Sequence, residues 1–127
     1  MSFSDPFYTP DYFEYQWEIL DFESEDPAVH ARGQQALRKR ADGGDTGALL
    51  VLARHYLGRR YRDADRALGC YLEAMERGST EGWGTLQRLY AHPDDTDMEE
   101  AVRRMKEQGH TMDALKKRWQ MVDPFRQ

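Results

Sequence analysis

The 127-residue chain has few of the features that mark secreted, disulfide-bonded or membrane proteins. Cys70 is its single cysteine, which excludes an intrachain disulfide and a cysteine-based metal site, and a small buried residue is expected there. No apolar run approaches the roughly eighteen residues that a membrane span needs. The first residues, MSFSDPFYTP, contain neither a basic nor a hydrophobic segment of a secretory signal. We therefore expect a cytoplasmic protein without membrane contact.

Recognisable catalytic motifs are also missing. No metalloprotease motif, phosphate-binding loop or dinucleotide fingerprint occurs. The acid-rich stretch at residues 92–100 lacks the glycine and the ligand spacing of a calcium loop. We expect no enzyme activity, no metal and no cofactor. The histidines are dispersed at positions His30, His55, His92 and His110.

Basic residues are absent from positions 1–28, which hold eight acids, although the whole chain has a net charge of −5. Positions 29–62 hold eight bases against two acids. These bases are Arg32, Arg38, Lys39, Arg40, Arg54, Arg59, Arg60 and Arg62. For the cluster formed by Arg54, His55, Arg59, Arg60 and Arg62, the sequence favours a solvated face, with an intramolecular match to the acidic N-terminus or an acidic protein partner as alternatives.

The chain repeats itself with an offset of 34 residues, the period of a helix-turn-helix repeat. Gly44 and Gly78 follow predicted helices and suit a left-handed C′ position. Ala48 and Gly82 are small enough for close helix approach. The offset pairs these residues, and also Leu52 with Leu86, Tyr56 with Tyr90, Asp63 with Asp97, and Ala67 with Ala101.

Caps and apolar spacing predict seven helices, arranged as three antiparallel pairs and a closing helix. Asp45 and Ser79 are expected to cap first helices of a repeat, and Thr96 with Glu99 to form a capping box for a second helix. Asp26 followed by Pro27 predicts another helix start. The closing helix is expected to follow Thr111 and to run through Leu115, Trp119 and Met121. The domain plan is an acidic aromatic segment (1–25), a degenerate repeat helix (26–44), a repeat (45–78), a truncated repeat (79–109) and a C-terminal cap (110–127).

Residues 41–109 resemble the Sel-one-like repeat, a relative of the tetratricopeptide repeat. The first copy supplies Ala48, Leu52, Tyr56, Asp63, Ala67, Tyr71, Ala74 and Gly78, and the second supplies Gly82, Leu86, Tyr90, Asp97, Ala101 and Gly109. The resemblance implies an all-α fold, a short right-handed α-solenoid, and a role in protein–protein contact. It implies no catalytic residues.

The N-terminal segment has more aromatic residues than one helix face can bury. One interpretation places Phe13, Trp17 and Leu20 in the core while the other aromatics cover the end of the solenoid. The other interpretation makes the aromatics a partner surface, because aromatic side chains supply interface hot spots. The candidate partner-binding residues are Phe7, Tyr8, Tyr12, Glu14, Tyr15, Glu18, Arg54, Arg59 and Arg60.

A non-catalytic protein-binding module is the leading functional hypothesis. Its narrower form is a bacterial immunity protein that binds and neutralises a cognate toxin, with an acidic aromatic face masking a basic cleft. An adaptor or secretion chaperone is the alternative within the same class. A nucleic-acid binder using residues 54–62 is the alternative from another class, although the sequence pI of about 5.3 disfavours it. A homodimer through the terminal helix with Trp119 is a further expectation.

Overall fold

Residues 13–122 are described by the computed structural model, and within them the chain is all-helical, as predicted. The expected number of seven helices is confirmed for this part of the chain. Helices α1 to α5 each pack on the next helix along the chain. Helix α7 lies against α4 and α5. The helices are α1 (Gln16–Phe22), α2 (Pro27–Asp42), α3 (Thr46–Tyr56), α4 (Ala64–Glu76), α5 (Thr80–Ala91), α6 (Thr96–Glu107) and α7 (Met112–Val122).

Three of the helices end in the same type of hydrogen-bonded turn. Between residues 13 and 122, positive φ angles occur only at Gly44, Gly78 and Gly109, with values of 105°, 94° and 93°. The Gly44 amide donates to the Ala41 carbonyl, and the next amide donates to the carbonyl at position 40, both at 3.0 Å. The same pair of bonds recurs at the other two glycines. The predicted left-handed role of Gly44 and Gly78 is therefore confirmed.

Side-chain caps start the helices where the sequence places them, with one exception. Asp26, Asp45, Asp63 and Ser79 each accept a hydrogen bond from an amide of the following turn. In α6 the predicted cap at Thr96 is wrong, because Asp95 occupies the N-cap and accepts the Met98 amide at 2.9 Å. A carboxylate satisfies this amide and also complements the positive end of the helix dipole.

The core confirms the expected contacts of the repeat. Leu52, Leu86, Tyr56 and Tyr90 are all less than 9% exposed. A Cβ atom at Gly82 would lie 3.0 Å from the Met75 amide nitrogen and 3.0 Å from the Tyr71 carbonyl oxygen, so α5 lies directly against the backbone of α4. A small residue is needed at position 82 because a larger side chain would collide with the α4 backbone.

The second repeat, predicted to be truncated, is shorter in the loop between its two helices. Residues 57–63 connect α3 to α4, whereas only residues 92–95 connect α5 to α6. The buried positions of α6 consequently match α4 at an offset of 31: Met98 corresponds to Ala67, and Ala101 to Cys70. The predicted pairing of Asp63 with Asp97 and of Ala67 with Ala101 is therefore not a structural correspondence.

The closing helix α7 packs against the rest of the fold through only part of its length. Leu115 is fully buried and Trp119 is partly buried, whereas Met121 is 81% exposed. Trp119 stacks on Trp83 of α5 with ring centroids 5.8 Å apart. Among the described helices, none combines the length and apolar character needed to cross a membrane.

Candidate interaction surface

The first helix is anchored through Tyr15, immediately before its first residue. Tyr15 is 3% exposed, and its hydroxyl donates to Asp45 Oδ1 at 2.8 Å. The Arg40 guanidinium lies 5.0 Å from the centre of its ring. Burial, followed by the hydrogen bond to Asp45, raises the pKa of Tyr15 well above its ordinary value. The expectation that Tyr15 belongs to a partner-binding surface is therefore corrected, since its side chain is a core contact.

At the other end of α1, Phe22 is the centre of an aromatic cluster. It is fully buried and lies edge-on to His30 at 4.6 Å and to Tyr56 at 5.4 Å between ring centroids. Tyr61 stacks on His30 at 3.4 Å, and its hydroxyl donates to the carbonyl of Ser24. These contacts connect the turn after α1 to the loop after α3.

An exposed apolar stripe is formed by Trp17 and Leu20 on the opposite side of α1, together with Phe13, which precedes the helix. The side chains of Phe13, Trp17 and Leu20 are 80%, 70% and 62% exposed. The prediction that they face the core is wrong, because Tyr15 and Phe22 are the residues that α1 buries. Scattered apolar surface residues are normal in proteins, but three at intervals of four and three on one short segment form a patch of the kind that binds other proteins.

The acids beside the stripe are paired with arginines from α2. Arg40 Nη2 donates to Glu18 Oε1 at 2.7 Å, and its Nη1 lies 3.8 Å from Glu14 Oε1. On the other flank, Arg32 Nε donates to Asp21 Oδ2 at 3.2 Å. Such ion pairs add little stability, but they lower the net charge around the stripe. Glu14 and Glu18 therefore border the stripe as parts of ion pairs.

The predicted arginine cluster is divided among several acidic partners. Arg54 Nη2 donates to Glu81 Oε1 at 2.6 Å. Arg60 donates to the Glu23 carbonyl at 2.7 Å and lies 3.7 Å from the Glu25 carboxylate. Arg59 is exposed, and no ion pair within residues 13–122 includes it. The interpretation of an intramolecular match thus has contacts for Arg60 and for His55, whose Nδ1 lies 3.1 Å from Glu23 Oε2.

Three of the candidate partner-binding residues, Phe7, Tyr8 and Tyr12, lie outside the described residues. Two other candidates, Glu14 and Glu18, do lie next to the stripe. The stripe itself was missed as a surface. The signal that could have revealed it is the competing apolar series Tyr15, Ile19 and Phe22, which has the same helical spacing on the other side of α1.

Cys70 is expected to react slowly with thiol reagents. The side chain is 7% exposed, and burial raises the pKa of its thiol to about 11. Because the thiolate is the reactive form, almost none of it is present at pH 7. Labelling by a disulfide reagent at pH 7 should run at least ~10-fold slower in the folded protein than in urea. Equal rates would contradict the buried position of this thiol.

Comparison of the chain with models of protein families, with curated proteins and with solved structures finds no match. The resemblance of residues 41–109 to the Sel-one-like repeat therefore stays a prediction. Within residues 13–122, no three His, Cys, Asp or Glu side chains are grouped so that they could hold a metal ion.

Proposed function

We propose that this chain is a non-catalytic protein–protein interaction module that binds a protein partner through the exposed stripe of α1. The observation that carries the proposal is the exposure of Trp17 and Leu20, at 70% and 62%, on a helix whose other side is fixed in the core. Large apolar side chains held on a rigid support lose little entropy on binding and serve as interface anchors. The helices α1–α7 form a short right-handed α-solenoid in this proposal, with α1 at its N-terminal end.

A protein partner fits this surface better than a small molecule. Small ligands are usually enclosed by a concave apolar pocket, whereas Trp17 and Leu20 project from one face of a helix. The paired acids on either side provide a polar rim, as the edges of protein interfaces do. The stripe would therefore supply the apolar centre of a protein interface, and the paired acids would supply its polar edge.

In its narrower form, the proposal is that the module is a bacterial immunity protein and that its partner is a cognate toxin. Support comes from the net charge of −5 of the whole chain, which would steer the module to a basic catalytic cleft. Trp17 would then anchor the complex at the cleft. An adaptor or chaperone role would use the same stripe for an unfolded segment instead of a folded enzyme.

Affinity capture tests the proposal. Tagged wild-type protein, the variant Trp17→Ser with Leu20→Ser, and a control variant are used to capture proteins from an extract of the source organism. The control, Gln35→Ser with Lys39→Ser, changes two exposed residues four apart on α2. One folded partner recovered by wild type and control, but not by the stripe variant, supports the proposal. Recovery by all three proteins would place the interface elsewhere.

The narrower form needs a further step, in which the captured partner is expressed alone and together with this protein. Growth arrest by the partner alone, relieved by the wild type and not by the stripe variant, is the result expected of an immunity protein. A partner that does not affect growth, or that binds only when unfolded, would contradict this form and favour the adaptor or chaperone role.

The stripe variant should fold as stably as the wild type. Because Trp17 and Leu20 are largely exposed, replacing both with serine should change the free energy of unfolding by less than about 0.5 kcal/mol per site. Urea denaturation followed by circular dichroism measures this change. A loss of several kcal/mol would show that these side chains belong to the core, and loss of capture could then not be assigned to the interface.

A further inference from the structure

The lysines of this protein differ from its arginines in their pairing. All four lysines, Lys39, Lys106, Lys116 and Lys117, lie within the described residues, and none takes part in an ion pair there. The ion pairs of this part of the chain instead use arginines and one histidine. Three of the unpaired lysines are on α6 and α7. Within residues 13–122, helices α6 and α7 therefore carry ammonium groups that form no ion pair with an acid.

Two of these lysines line a cleft between α5, α6 and α7. Its volume is about 460 Å³, and Lys106 and Lys116 stand beside the apolar surfaces of Tyr90 and Met112. The remaining lining residues are Gln87 and Ala91, so no acid of the described part of the chain lines the cleft. A cleft with cations at its wall and an apolar floor is complementary to a ligand that carries carboxylates next to apolar groups.

The floor of the cleft is held in place by hydrogen bonding. The Tyr90 hydroxyl donates to the His110 carbonyl at 2.8 Å, which joins α5 to the turn between α6 and α7. The Lys106 ammonium lies 5.6 Å from the centre of the Tyr90 ring, within the range of a cation–π contact. The cleft is thus formed before a ligand arrives, which lowers the entropic cost of binding.

We propose that this cleft binds an acidic peptide segment of a partner protein, with carboxylates on Lys106 and Lys116 and an apolar side chain over Tyr90 and Met112. The charge and the apolar floor of the cleft argue for this occupant. This surface belongs to α5–α7, so the inference stands independently of the binding role of α1. A partner could occupy either surface without the other.

A peptide is favoured over a nucleic acid by the surroundings of the cleft. The two helices that supply its lysines also carry the exposed acids Glu99, Glu107 and Asp113. A phosphate backbone would need a continuous row of cations, whereas these two helices carry acids among their cations. A short peptide needs only the two ammonium groups and the apolar floor.

Fluorescence anisotropy tests the inference with a fluorescein-labelled decapeptide in which aspartate and glutamate alternate with phenylalanine and leucine. The full chain is compared with the charge-reversal variant K106E/K116E and with K39E/K117E. The second variant makes the same change in net charge at exposed lysines that do not line the cleft. A third variant, K106R/K116R, keeps both charges. Circular dichroism checks that each variant is folded.

The wild type is expected to bind the peptide, and K106E/K116E to bind it at least ~10-fold more weakly. K39E/K117E and K106R/K116R should stay within about twofold of the wild type. An equal loss in both charge-reversal variants would overturn the inference, because the attraction would then depend on net charge alone. Absence of binding to the wild type, or tighter binding of a single-stranded oligonucleotide of equal charge, would overturn it as well.

Discussion

Replacing Gly33 with alanine is expected to destabilise the protein more than any exposed substitution. Gly33 lies in the middle of α2, where α1 crosses it, and an added Cβ would lie 2.3 Å from the Phe22 amide nitrogen and 2.8 Å from the Asp21 carbonyl carbon. Both contacts are with backbone atoms, which cannot rotate away as a flexible side chain can. The two helices must separate, and overpacking of this kind costs up to about 3 kcal/mol.

The matched control is Gly69→Ala in the middle of α4. A Cβ atom at Gly69 would meet nothing within 4 Å, and this position is exposed. Alanine favours a helix over glycine by about 1 kcal/mol, so this variant should be slightly more stable than the wild type. Urea unfolding measures both free energies. Equal stabilisation by the two substitutions would contradict the close approach of α1 to α2.

Replacing Phe22 with alanine is expected to cost about 3–5 kcal/mol, the usual range for a fully buried phenylalanine. The ring is 0% exposed and contacts His30, Tyr56 and Tyr61, so its removal leaves a cavity that several other rings border. The substitution also loosens the contact between α1 and the loop after α3. Thermal unfolding of the variant should therefore begin well below that of the wild type.

Leu20→Ala is the control for Phe22→Ala on the same helix. Leu20 is 62% exposed, so its truncation should change the free energy of unfolding by less than about 0.5 kcal/mol. Comparable losses in the two variants would show that both sides of α1 are packed. A small loss in the Phe22 variant would show that α1 contributes little to the fold.

The helices and their boundaries follow from the sequence because local rules decide them. Gly44 and Gly78 take positive φ angles, and Asp26, Asp45 and Ser79 cap helices where expected. These features depend on a residue and its nearest neighbours along the chain. The cap of α6 is the exception, since Asp95 and Thr96 are adjacent residues that can both accept an amide hydrogen bond.

The correspondence of the two repeats required the structure. Identities at a fixed offset paired Ala67 with Ala101, but the connection between α5 and α6 is shorter than that between α3 and α4. Each residue lost from a loop shifts the following helix by one position relative to the other copy. Ala101 instead occupies the place of Cys70, and a fixed-offset comparison cannot detect this change.

The faces of α1 could not be assigned from the sequence for a related reason. The series Phe13, Trp17, Leu20 and the series Tyr15, Ile19, Phe22 both have apolar residues at helical spacing. Periodicity identifies a helix but does not choose between two apolar sides. The choice depends on distant residues, including Gly33, which admits the backbone of α1, and Asp45, which accepts the Tyr15 hydroxyl.

The unpaired lysines also depend on contacts that the sequence does not reveal. Arginines 40, 60 and 104 reach acids that are 22 to 39 residues distant along the chain, as in the Arg104–Asp65 pair. A count of charges cannot show which cations remain without an acid. Only the packing of α6 and α7 shows that Lys106 and Lys116 share one cleft.

Calorimetric titration of the captured partner into wild-type protein and into the Trp17→Ser, Leu20→Ser variant tests the central claim most directly. If α1 uses its inner side for the fold and its stripe for the partner, the variant should bind at least ~100-fold more weakly, since interface anchors contribute about 2 kcal/mol or more each. Its free energy of unfolding should stay that of the wild type. Equal affinity of the two proteins for the partner would contradict the claim.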